Sequence, residues 1–106
     1  MIHIRITLKD SHCHKVVSKG HAGYAEEGYD IICAAVSVLM VNTANSLETL
    51  TDDSFSCEEG DGYVALAVED DASKEAILLM DSLRLGLVSI RESYGDTYLH
   101  IETKEE

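Results

Sequence analysis

Ile2, Ile4, Ile6 and Leu8 alternate with His3, Arg5 and Thr7 at the start of the chain. Alternation this strict puts every apolar side chain on one face of an extended strand, so the sheet it joins must be covered on that face. Lys9-Asp10-Ser11 reads as a turn, and His12 to Lys19 as a returning antiparallel strand that alternates less regularly around Val16 and Val17. The pattern stops over Gly20 to Gly28, a glycine-bearing loop, and then changes period. Asp30 stands where an N-cap belongs, ahead of Ile31, Ile32, Ala34, Ala35, Val38, Leu39, Val41, Ala44, Leu47 and Leu50 at helical spacing. Ser54 to Glu58 and Tyr63 to Glu69 flank Glu59-Gly60-Asp61-Gly62, a second hairpin whose glycines supply positive φ. Asp70-Asp71 or Ser73 caps a second helix from about Ala72 to Glu92, with Ala76, Ile77, Met80, Leu83, Leu87 and Ile90 inward, ended by Tyr94-Gly95-Asp96. Tyr98 to Glu102 alternates again as a closing strand. The order ββαββαβ predicts an α+β fold, a two-layer sandwich of a mixed sheet with two helices, with residues 1–106 as a single domain.

A chain of 106 residues supports one modest core, and a domain this small often buries further surface against a second copy, so a homodimer is expected. Twenty acidic residues against eight basic ones give a formal charge of -12. A body so acidic repels phosphate backbones and anionic lipid, which predicts no direct nucleic-acid or membrane partner, and it attracts basic proteins. Met1-Ile2-His3-Ile4-Arg5-Ile6 alternates where a signal peptide or membrane span would be continuously apolar, so neither is expected. Three cysteines at irregular spacing fit free thiols in a reducing compartment. Cytoplasmic localisation is the consequence.

Cys33 falls three positions after Asp30, in the expected first turn of the first helix. Free N–H groups and the positive helix end there favour a thiolate and offer donors to an oxyanion, as acyl transfer requires. A buried small apolar residue is the other reading of a Cys among Ile and Ala. His21, on the glycine-bearing loop leading into the helix, could reach the thiol as its proton acceptor, or be a solvated surface residue.

The run Gly20-His21-Ala22-Gly23-Tyr24-Ala25, followed by Gly28-Tyr29-Asp30-Ile31-Ile32-Cys33-Ala34-Ala35-Val36-Ser37, resembles the ribosomal-processing cysteine protease family, often called Prp. The resemblance implies a homodimeric cysteine protease with a Cys-His dyad at Cys33 and His21. It implies as substrate the bacterial large-subunit ribosomal protein number twenty-seven, cut after an aromatic residue to remove an N-terminal extension. It further implies a mobile loop that orders around substrate, with Gly23 and Gly28 as hinges and Tyr24 or Tyr29 as contacts. A basic ribosomal substrate suits the acidic surface.

Gly20, Ala22, Asp30 and Ser37 belong to the same blocks and are carried over as supporting or substrate-binding positions. Asp30 either caps the helix or orients His21. Ser37, one turn beyond Cys33, either touches substrate or bonds back into its own helix. In His12-Cys13-His14 both imidazoles of a regular strand would point one way, but two ligands without a third favour a solvated edge strand over a zinc site. Cys57, beside Phe55 in a strand pattern, reads as structural. The expected reaction is peptide-bond hydrolysis with no cofactor and no metal. The competing class is a non-catalytic peptide-binding or ribosome-assembly protein. A thiol redox protein would call for a Cys-x-x-Cys pair, which the sequence lacks.

Overall fold

The computed structural model describes residues 1–20 and 27–106, with side chains from residue 31 onward in the second stretch. The elements run β1 (Ile2–Lys9), β2 (His12–Lys19), α1 (Glu27–Leu50), β3 (Phe55–Gly60), β4 (Tyr63–Val68), α2 (Lys74–Tyr94) and β5 (Leu99–Glu105). The order is the ββαββαβ that the periodicity predicts, and the sheet is mixed. Its strands lie in the order β3-β4-β2-β1-β5, with β1 parallel to β5 and all other neighbours antiparallel.

The alternation of β1 is realised in full: Ile2, Ile4, Ile6 and Leu8 are buried. They join Ile32, Val36, Met40 and Leu47 of α1 and Ala76, Met80, Leu83 and Leu87 of α2 in one core. Both helices therefore cover the same face of the sheet, and among the described residues the opposite face stays open. The irregular alternation of β2 has a cause. Thr7 pairs with Lys15 while Leu8 pairs with Cys13, so His14 is the extra residue of a β-bulge. The bulge lets Cys13 and Val16, which do not share a parity, both face the core. It also overturns the expectation of two imidazoles on one regular strand face.

The β1–β2 turn places Asp10 and Ser11 at φ 53° and 68°, the positive values of a two-residue hairpin turn. The second hairpin turns at Asp61-Gly62, where Gly62 has φ 61°. Ser73, among the cap candidates, is the N-cap of α2: its hydroxyl accepts from the Ala76 N–H at 3.1 Å. Gly95 closes the helix with its N–H donating to the Arg91 carbonyl at 2.7 Å.

α1 departs from expectation at its start. It begins at Glu27, so Gly28, Tyr29 and Asp30 are already helical and Asp30 is not the N-cap. Its apolar residues also do not form one face. Ile31, Val38, Val41 and Leu50 are exposed, on a helix that is apolar nearly all round. Among the described residues, Ile31–Leu50 is long and apolar enough to cross a membrane, but its inner side is part of the sandwich core.

Candidate active site

Cys33 lies on α1, half-buried, with its side chain against the core cluster. Because α1 starts at Glu27, Cys33 occupies the second turn and not the first. This corrects the sequence reading in two respects. The N–H groups left free by a helix belong to its first turn, so the backbone N–H of Cys33 is in register for the intrahelical ladder. The favour that a helix end shows an anion also fades past that turn.

His21 and Ala22 lie outside the described residues, as do the loop positions Gly23 and Tyr24. Gly20, directly before His21, is held tightly. Its N–H donates to the Gly62 carbonyl at 2.9 Å. A Cβ at Gly20 would fall 2.8 Å from the Met1 carbonyl oxygen and 2.9 Å from the Ile2 Cα. Both are backbone atoms that cannot give way, so Gly20 is needed for the close approach of β2 to the start of β1. Gly20, the residue before His21, is thereby fixed against two strands and a hairpin. Ser37 is exposed one turn beyond Cys33, where a peptide could meet it. Asp30 sits in the first turn of α1.

The other two thiols are poor nucleophiles for physical reasons. Cys13 is fully buried, and burial, with the charge of Asp81 adding to it, pushes its pKa up to about 12. Cys57 is exposed on β3, and partial desolvation followed by the Glu59 carboxylate raises its pKa as well. The thiolate is the reactive form, so both are disfavoured near neutral pH.

Asp81 is a position that sequence reading missed. Its carboxylate accepts from the Cys13 N–H at 2.8 Å and pairs with His12 Nδ1 at 2.7 Å. His14 instead turns its Nδ1 toward the His12 carbonyl at 3.1 Å. The His12-Cys13-His14 segment is thus tied to α2 by a carboxylate sixty-nine residues from His12 in sequence, a distance no local pattern exposes. Among the described residues no three His, Cys, Asp or Glu side chains converge as a metal set.

Comparison with known proteins agrees with this architecture. Residues 1–99 match the family described as cysteine protease Prp. The ribosomal processing cysteine protease Prp of Staphylococcus aureus strain Mu50 is 28% identical over 99 residues, covering 91% of this chain and 93% of that one. The crystal structure of an essential ribosomal processing protease Prp from S. aureus in complex with a substrate peptide superposes with a TM-score of 0.84 at 27% identity, covering all of both chains. Its form with a covalently linked product peptide gives 0.81 at 28%, again over both full lengths. Since the family match spans residues 1–99 of 106, the chain belongs to the Prp family of ribosomal processing cysteine proteases.

Proposed function

We propose that Cys33 is the nucleophile and His21 its general base, and that residues 1–106 act as one protease domain on bacterial large-subunit ribosomal protein number twenty-seven, removing its N-terminal extension. The observation that carries the assignment is the contrast among the three thiols: Cys13 is sealed in the core, Cys57 has its pKa raised beside Glu59, and Cys33 is half-buried on α1. His21 takes the Cys33 proton, the sulfur adds to the scissile carbonyl, and His21 returns the proton to the leaving amine. Water then releases the acyl group, with the imidazole again accepting a proton. No metal or cofactor enters these steps. Family membership supports the reading, as does the substrate peptide bound by the S. aureus protease. A basic ribosomal protein as substrate also matches a body of formal charge -12.

The same proposal includes a cytoplasmic homodimer. Ile31, Val38 and Val41 of α1 and Leu78 and Leu85 of α2 form exposed apolar positions on the sides of the helices turned away from the core. A second copy would cover such a face.

Cleavage of an extended ribosomal substrate, read by mass spectrometry, tests the proposal. Wild type should cut once and cleanly, and Cys33→Ala and His21→Ala should each lose activity by at least a thousandfold while keeping wild-type circular dichroism. Binding without cutting by the reduced wild type would sink the reading and favour a peptide-binding protein.

A further inference from the structure

The face of the sheet that no helix covers is the basic part of an acidic molecule. Register places its outward side chains in rows. Lys19, His3 and His100 lie side by side across β2, β1 and β5, and Lys15, Thr7 and Lys104 form a parallel row. Between them run Val17, Arg5 and Glu102. Among the described residues these rows hold Arg5, Lys15, Lys19 and Lys104, with Glu102 and, on β3, Glu58 as outward carboxylates; at the end of β1, Lys9 is already paired with Asp70 at 2.8 Å. Across the strands Lys15 and Lys104 both stand opposite Thr7, and Arg5 stands opposite Val17 and Glu102, so the sheet seats these cations without setting two of them directly against each other.

These cations are free to meet a ligand. Lys15 has no ion pair among the described residues, and Lys19 has only the Tyr63 ring, 5.7 Å below its ammonium. Arg5 meets Glu102 at 3.8 Å with both side chains more than 60% exposed, a contact worth little in water. His3 and His100 stand edge to face, with ring centroids 5.8 Å apart. Together they line a hollow of about 530 Å³. A second hollow shares His3, Lys19 and Tyr63 with the first and reaches Gly20, at the base of the stretch carrying His21.

We infer that this open face binds an acidic, extended segment of a partner protein. Outward side chains along a strand repeat every two residues, roughly 6.6–6.8 Å, which is also the repeat of alternate side chains in an extended peptide. Lys15 and Lys19 stand two such repeats apart, so carboxylates four positions apart on such a segment match them, and a carboxylate between those two faces Val17 with Arg5 beside it. The cations are spread over three strands and do not converge on one point, which suits a chain better than a single phosphate. A long nucleic acid would leave the patch at both ends and run over the acidic remainder. A second copy related by two-fold symmetry would set the basic face against itself.

The test uses the fluorescein-labelled peptide (Glu-Ser)4 and fluorescence anisotropy with the full chain in low salt. Saturable binding is expected although the protein as a whole repels the peptide, with at least tenfold weakening in Lys15→Glu/Lys19→Glu. Lys15→Arg/Lys19→Arg should bind as wild type does, and the melting curves of all three proteins should agree. Lys15→Gln/Lys19→Gln serves if charge reversal impairs folding, with weakening again expected. Peptide cleavage by these variants should stay within twofold of wild type, which separates this inference from the dyad proposal. Absence of saturable binding, equal binding by the charge-reversed protein, or tighter binding of a single-stranded RNA of equal charge would each overturn it.

Discussion

At the scale of single residues, backbone geometry and burial decide more than chemical type. Ser11 holds φ 68° without the freedom of glycine, in a turn where its N–H donates to Glu105 Oε1 at 3.1 Å. Ser11→Gly keeps that donor and relieves the left-handed conformation, so it should stabilise the protein by about 0.5–1 kcal/mol in a urea melt. Gly20→Ala should do the opposite, costing about 1–3 kcal/mol, because the new Cβ meets backbone atoms of Met1 and Ile2. The thiols differ in the same way. Iodoacetamide at neutral pH should leave Cys13 unmodified in the native protein, its pKa pushed to about 12, while denaturation exposes it to labelling. Native labelling of Cys13 as fast as Cys33 would contradict the burial described for it.

Among the elements, α2 is started by a relay from the segment that follows α1. Asp53, in the loop after α1, accepts from the Ser73 N–H at 2.7 Å and from the Ser73 hydroxyl, while Ser73 accepts from Ala76. Ser73→Ala removes the cap and should cost about 1 kcal/mol. The two Ser73 donors hold the Asp53 pKa below its ordinary value of 3.8. A carboxyl whose folded value is depressed contributes stability above the unfolded value and loses it as pH falls through the folded one. The gap in melting temperature between wild type and Asp53→Asn should therefore be full near neutral pH and shrink below about pH 3.8. A gap unchanged down to pH 2 would show that the charge of Asp53 plays no part.

For the whole molecule, two layers make two outer faces of opposite character. The helix side is apolar at Ile31, Val38, Val41, Leu78 and Leu85, and the sheet side carries Arg5, Lys15 and Lys19. If the helix side pairs with a second copy, Val38→Glu should shift the mass seen by light scattering from dimer to monomer, while Lys15→Glu should leave it unchanged. A wild type that stays monomeric at high micromolar concentration would remove the dimer proposal.

Much of this protein is decided by local pattern. Period two over residues 2–8 and helical period over 31–50 and 76–90 determine strands and helices, because a side chain's face follows directly from its position in a regular element. Glycine placement determines the Asp61-Gly62 turn and the end of α2 for the same local reason. The Gly20 to Ser37 blocks were enough to point to the family, since a motif is a property of the chain itself. Only the tertiary structure decided the rest. The bulge at His14 follows from the demand that Cys13 and Val16 share a core, and the helical state of Asp30 moves Cys33 out of the first turn. Asp53 and Asp81 act on residues twenty and more positions away, and the basic face exists only once β2, β1 and β5 lie side by side. Contacts between distant segments and the charge of an assembled surface are set by packing, which no local run of sequence contains.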